Sequence, residues 1–195
     1  MQNDKNVKVQ KTLDERMLKT ARVTSVLLKI ARVILWIGLA VMMLATIFVI
    51  TVPELIDFSN VNIDLNGALS GITLDGNGDP AKLLILCFCA AIPAIACVLV
   101  GLYIVGRIFK DVVDKHTPFT EDNPRRIKSL ALVYIAMHLV PKFFLAIGSL
   151  FVCSGLGVTI NLSLLTMALG ALILWSIGQM FEYGARLQQY EDETI

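Results

Sequence analysis

Three stretches of this chain, 33–52, 83–106 and 157–181, each run for twenty or more residues without a charged side chain. A helix of ~20 apolar residues crosses about 30 Å of hydrocarbon, so each stretch is long enough to span a bilayer. A fourth, 129–154, qualifies if Lys142 is tolerated inside it. In a chain of 195 residues that is 56% hydrophobic, with a mean hydropathy of +0.71, these runs exclude a soluble domain and make lipid the solvent of the fold. Basic residues precede the first run as they would in a signal peptide. That run is about twenty residues long and no small-x-small cleavage site follows it, so it reads as a retained span.

Charge gives the expected orientation. The net charge is only +1, but of the 17 Lys and Arg eight precede the first span, six lie between the second and third, and Arg186 follows the fourth. The loop after Pro53 carries no base before Lys82 and five acids: Glu54, Asp57, Asp64, Asp75 and Asp79. By the positive-inside rule both termini are expected in the cytoplasm. The chain then divides into a basic amphipathic N-terminal helix (1–32), a first span (33–52), an acidic extracytoplasmic loop (53–82), a second span (83–106) and a basic cytoplasmic loop (107–128). A third span (129–154), a short external turn (155–161), a fourth span (162–183) and a cytoplasmic tail (184–195) follow. The expected fold is all-α and integral to the membrane, a four-helix bundle with a small β-hairpin-like element in the loop between the first two spans.

Local signals refine this outline. Thr12 and Glu15 form a capping box that predicts a helix start near Leu13. In the acidic loop apolar residues alternate at Val61, Ile63 and Leu65 and again at Ile72 and Leu74, with glycines between, which is the period of a strand. Asp75, Asn77 and Asp79 open like a calcium loop, but Pro80 replaces its central glycine and Leu86 its bidentate acid, so a plain turn is expected and no metal. Cys87, Cys89, Cys97 and Cys153 read as packing residues, with a pairing of Cys153 to Cys87 or Cys89 left open. Pro93 and Pro141 each remove one helix hydrogen bond inside a span. Small residues in the second and fourth spans favour close helix packing, within one chain or between copies of a homo-oligomer.

An ionisable residue at membrane depth marks a candidate site. His138 lies four residues before Lys142 and so on the same helix face. With Ser176 and Gln179 of the fourth span, these residues are the candidate intramembrane polar pocket; the competing reading is a lysine that snorkels at a proline kink. No deep acid, HExxH, phosphate-cradling glycine loop or Ser/His/Asp set accompanies them, so no enzyme and no cofactor are expected.

The richest segments are PFTEDNPRR (118–126), where Asn123 is expected to cap the third helix with Pro124 in its first turn, and MFEYGARLQQYEDETI (180–195). Together they resemble the YoaS-like family of small bacterial four-helix membrane proteins, a family of unknown function. Pro118, Phe119, Thr120, Asn123 and Arg126 match its loop; Phe181, Gly184, Leu187, Asp192 and Ile195 match its tail. The resemblance implies a bacterial cytoplasmic-membrane protein, often encoded beside a small Cro-like helix-turn-helix regulator, and no known reaction.

The expected function is therefore non-enzymatic and regulatory. A partner such as that regulator, or a membrane complex, would be bound through Pro118, Phe119, Thr120, Asn123, Arg126, Phe181, Glu182, Gly184 and Arg186, without direct contact to nucleic acid. Anionic lipids would be held by the basic N-terminal helix. The alternatives are a small transporter or ligand sensor built on the Lys142 pocket, and an immunity or stress-response protein that meets an outside peptide through its acidic loop.

Overall fold

The computed structural model describes residues 2–52, 72–74, 80–115, 117, 119–152, 156–158 and 162–193. They form four long helices: α1 (Gln2–Thr51), α2 (Pro80–Lys115), α3 (Asn123–Val152) and α4 (Leu162–Glu193). Each contains a segment long and apolar enough to cross a membrane: Leu18–Thr51, Leu84–Lys115, Asn123–Gly148 and Leu164–Tyr190. Helices are what such sequences must form in lipid, because every backbone N–H and C=O has to find its partner within the segment. Thr46 follows the same rule, its hydroxyl donating to the Met42 carbonyl one turn back at 2.7 Å. The chain is thus an integral, multi-pass membrane protein.

Two expectations about local structure are corrected. α1 begins at Gln2, so the Thr12–Glu15 box lies inside a continuous helix and caps nothing. A capping box marks a permitted start, and with no Gly or Pro before Gly38 nothing stops the helix from running through it. A hairpin inside the 53–82 loop is also not supported. The strand described there, β1 (Ile72–Leu74), pairs antiparallel with β2 (Leu156–Val158) of the other connection, Ile72 opposite Val158 and Leu74 opposite Leu156. Two-stranded pairings of this size are marginal alone, and this one lies against α3, where both connections emerge from the same end of the molecule. Val61, Ile63 and Leu65, and the turn of Asp75, Asn77 and Asp79, lie outside the described residues.

The main packing runs in chain order, α1 on α2, α2 on α3 and α3 on α4, which leaves α1 and α4 as the outer members. In no span is more than 17% of the most apolar window buried, so most of the apolar surface faces lipid. Exposed side chains such as Ile34, Leu44, Leu172 and Met180 are therefore in their proper solvent. The buried cluster is small, Leu86 and Ala90 of α2 with Leu145 of α3. Glycine sets the spacing of α3 and α4. A Cβ at Gly170 would fall 2.8 Å from the Tyr134 ring, and one at Gly178 would fall 2.9 Å from Lys128 Cγ and 3.4 Å from the Pro124 carbonyl oxygen. Leu or Met at either position would force the helices apart.

These contacts fix the antiparallel register. Arg32 of α1 lies against Gly106 of α2, and Lys128 of α3 lies against Gly178 of α4. Arg32, Arg107, Lys128 and Glu182 consequently stand at about one level, with Tyr103 and Trp175 beside them in cation–π contact, as in the aromatic belt of a membrane interface. From Arg32 to the end of α1 at Thr51 is about 28 Å of helix, close to one hydrocarbon thickness. The side of this level that carries both termini is the basic end.

Candidate functional site

The two segments that stand out in the sequence meet at the basic end. The Thr117 hydroxyl accepts the Phe119 N–H at 3.2 Å, a side-chain turn, and donates to Gln188 Oε1 of α4 at 3.0 Å. This hooks the α2–α3 loop onto the tail of α4. The Phe119 ring then lies 5.4 Å from that of Phe181 at 44°, within the usual range for aromatic pairs. Gly184, three residues after Phe181 on the same helix face, makes the room: a Cβ there would sit 2.6 Å from Phe119 Cε1.

Beneath this contact the start of α3 is tied to both neighbouring helices. The Asp122 carbonyl accepts the Arg126 N–H at 3.1 Å, the first helical hydrogen bond, so Asp122 holds the cap position that the sequence assigned to Asn123. Asn123 is instead fully buried at 0% exposure, with Oδ1 accepting from Arg126 Nη1 at 3.3 Å. Arg126 also bonds Asp111 of α2 at 2.5 Å and lies 3.6 Å from Asp122. Glu182 of α4 accepts Lys128 at 2.6 Å and Arg186 at 2.8 Å. Lys128 further sits 5.6 Å over the Trp175 ring.

Between the first turn of α3 and the end of α4 opens a cleft of about 410 Å³, in which Glu121, Asp122 and Glu182 face Arg125, Lys128 and Arg186. Both signs alternate over a short distance. Such a surface does not concentrate one kind of ion; it offers the patterned complementarity by which protein surfaces select one another. Among the described residues no group of three His, Cys, Asp or Glu could hold a metal.

The proposed interaction motif thus divides by role. Thr120 and Asn123 are buried and Arg126 is engaged with Asp111, so these residues build the junction. Phe119, still 41% exposed, and the exposed Arg186 present it outward; Pro118 lies outside the described residues. Asp111 and Lys128 are structural partners that the sequence reading did not single out. Asp111 and Asp114, the two acids within an otherwise basic stretch from 107 to 115, were the available signal.

The intramembrane group does not assemble as expected. His138 turns its Nδ1 to the Tyr134 carbonyl at 3.0 Å and stacks on the Tyr134 ring at 4.7 Å. With Tyr134 against Gly170, a residue eight positions further along α3 is level with the beginning of α4. Lys142 therefore stands opposite Leu162, while Ser176 and Gln179 lie more than ten residues away along α4, at the basic end, with exposed side chains. Antiparallel packing separates the two halves of the set by about 20 Å. Lys142 lies about 20 Å from the Lys128 level and so within snorkelling reach of the opposite interface.

Cys87, Cys89 and Cys97 are free thiols, and Cys153 lies outside the described residues, as does the acidic loop apart from β1. Comparison of the chain with family models, with curated proteins and with solved structures finds no match in any of the three.

Proposed function

We propose that this chain is a non-enzymatic membrane module that binds a protein partner at its basic end, through the surface formed where the α2–α3 loop meets the tail of α4. The observation that carries this reading is the seating of Phe119 on Phe181 and in the space over Gly184. Two segments more than fifty residues apart are shaped to each other there, leaving a half-exposed aromatic ring beside a cleft of alternating charge. Aromatic and arginine anchors next to polar rims are how protein interfaces concentrate their energy. In this reading Phe119, Glu121, Arg125 and Arg186 contact the partner; Asn123, Arg126, Lys128 and Glu182 hold the surface in shape.

The excess of Lys and Arg on the side of the termini supports reading that surface as cytoplasmic and reading α1 as drawn to anionic lipid. The resemblance to the YoaS-like family supports a bacterial cytoplasmic membrane as the site and a small helix-turn-helix regulator as the partner in this reading.

Site-specific photocrosslinking in cells tests this. A crosslinker at Glu121, Arg125 or Gln189 should yield one protein adduct of constant mass, whereas one at Leu172 or Met180 should yield lipid adducts alone. Gly184→Leu, which displaces Phe119, should remove the protein adduct while the chain stays in the membrane. Cleft positions that give lipid adducts only, or none, would overturn the assignment.

A further inference from the structure

On α1 and α2, at the level where Lys128 meets Glu182, the chemistry is different. The Arg32 guanidinium carbon lies 5.6 Å from the centre of the Tyr103 ring, and that of Arg107 lies 4.8 Å from the same ring. Two guanidinium groups thus share one aromatic ring. Among the described residues neither pairs with a carboxylate; the ion pairs at this end belong to Arg126, Lys128 and Arg186. The acids nearest along α2 are Asp111, bonded to Arg126, and Asp114, about two turns beyond Arg107. On α1 the first acid is Glu15, seventeen residues before Arg32.

Arg32 is held in place and incompletely satisfied. Its Nη2 donates to the Leu102 carbonyl at 3.3 Å, and its head packs directly against Gly106, where a Cβ would push it aside. Its Nε is buried with no acceptor. That edge of the head is thus turned into α2 and fixes the arginine, while phosphate is the acceptor that the remaining N–H groups of such a head, and those of the exposed Arg107, favour.

The surroundings fit a lipid rather than a soluble anion. One helical turn deeper, at i+4 from Arg32 and i−3 from Tyr103, stand Trp36 and Val100, exposed by 60% and 50%. One turn toward the aqueous side stand the exposed Lys29 and Lys110. Charge above and uncovered apolar surface below is the profile of a headgroup with its acyl chains.

We propose that Arg32, Tyr103 and Arg107 form a defined binding site for the phosphate of an anionic phospholipid at the α1–α2 seam. The site deepens the lipid-facing part of the proposed function, from a diffuse attraction along α1 to one built clamp, and is independent of the protein-binding surface.

Native mass spectrometry tests it, using full-length protein reconstituted in nanodiscs of equal phosphatidylglycerol and phosphatidylcholine and released into mild detergent. The wild type should retain one phosphatidylglycerol selectively, and added inorganic phosphate should not displace it. Arg32→Gln/Arg107→Gln should retain about thirtyfold less, on the order expected for two interfacial bases. Arg107→Gln alone, a change at an exposed residue that leaves folding intact, should lose several-fold. Lys19→Gln/Arg22→Gln, equal in charge but roughly two to four turns from the Arg32–Tyr103 seam along α1, should retain the wild-type amount. Equal loss in both doubles would leave only the diffuse attraction and overturn the clamp. Retention unchanged in both would overturn the clamp and the attraction together, and release by inorganic phosphate would make the ligand a soluble anion.

Discussion

The α1–α2 and α3–α4 seams cross the same level of the molecule with opposite electrostatic outcomes. At the α3–α4 seam, Lys128 and Arg186 are both answered by Glu182, and Gly178 lets the two helices approach closely. At the α1–α2 seam, Arg32 and Arg107 converge on Tyr103 without an acid. The first is satisfied from within the chain and so shapes a surface; the second is completed from outside. The same residue types at the same depth serve structure or binding according to whether the register supplies a countercharge.

The sharpest way to break this comparison is to wedge the closed seam. Gly178→Leu should destabilise the protein by about 3 kcal/mol through overpacking, seen as a lower thermal midpoint in detergent. Gly38→Leu on α1, where a Cβ meets nothing within 4 Å, should leave the midpoint unchanged. Next in size is Asn123→Leu, which removes a buried acceptor from Arg126 and should cost about 2 kcal/mol in the same measurement. Thr120→Val goes the other way: its buried hydroxyl has no hydrogen-bond partner, so an isosteric methyl should raise stability by about 1 kcal/mol. Glu182→Gln should lower the midpoint measurably where Arg107→Gln does not; equal effects would erase the difference between the seams. Smallest in its effect on topology is Lys142→Met, expected to leave insertion near the wild type, because the lysine is near enough to an interface to snorkel.

The four spans were legible because they follow from run length and composition, both one-dimensional properties. The parts that were not legible depended on register. Gln179 and Ser176 looked close to Lys142 only while the level of α4 against α3 was unknown; the contact of Tyr134 with Gly170 moves them to the other end of the helix pair. Asn123 and Arg126 stood out correctly as unusual residues, but a sequence does not say whether an unusual polar residue faces inward. Here Asn123 is fully buried and Arg126 is bound to Asp111. The strand character of Ile72 and Leu74 was readable from alternation, whereas the partner, β2, belongs to a connection about eighty residues away. The start of α1 was misjudged because a capping box is a local signal, and only a competing conformation upstream would have made it decisive.

That uninterrupted α1 has a mechanical consequence. α2 ends at Lys115, nine residues past Gly106, and so leaves α1 near Val23; the 21 residues of Gln2 to Arg22 continue for about 30 Å beyond it. The span and this extension are one rod. Membrane helices tilt to match the thickness of the bilayer around them, and for an arm of that length a change of about 10° carries the far end sideways by about 5 Å. A change in tilt of the span is thereby carried, without any hinge, to the far end of α1 at Gln2.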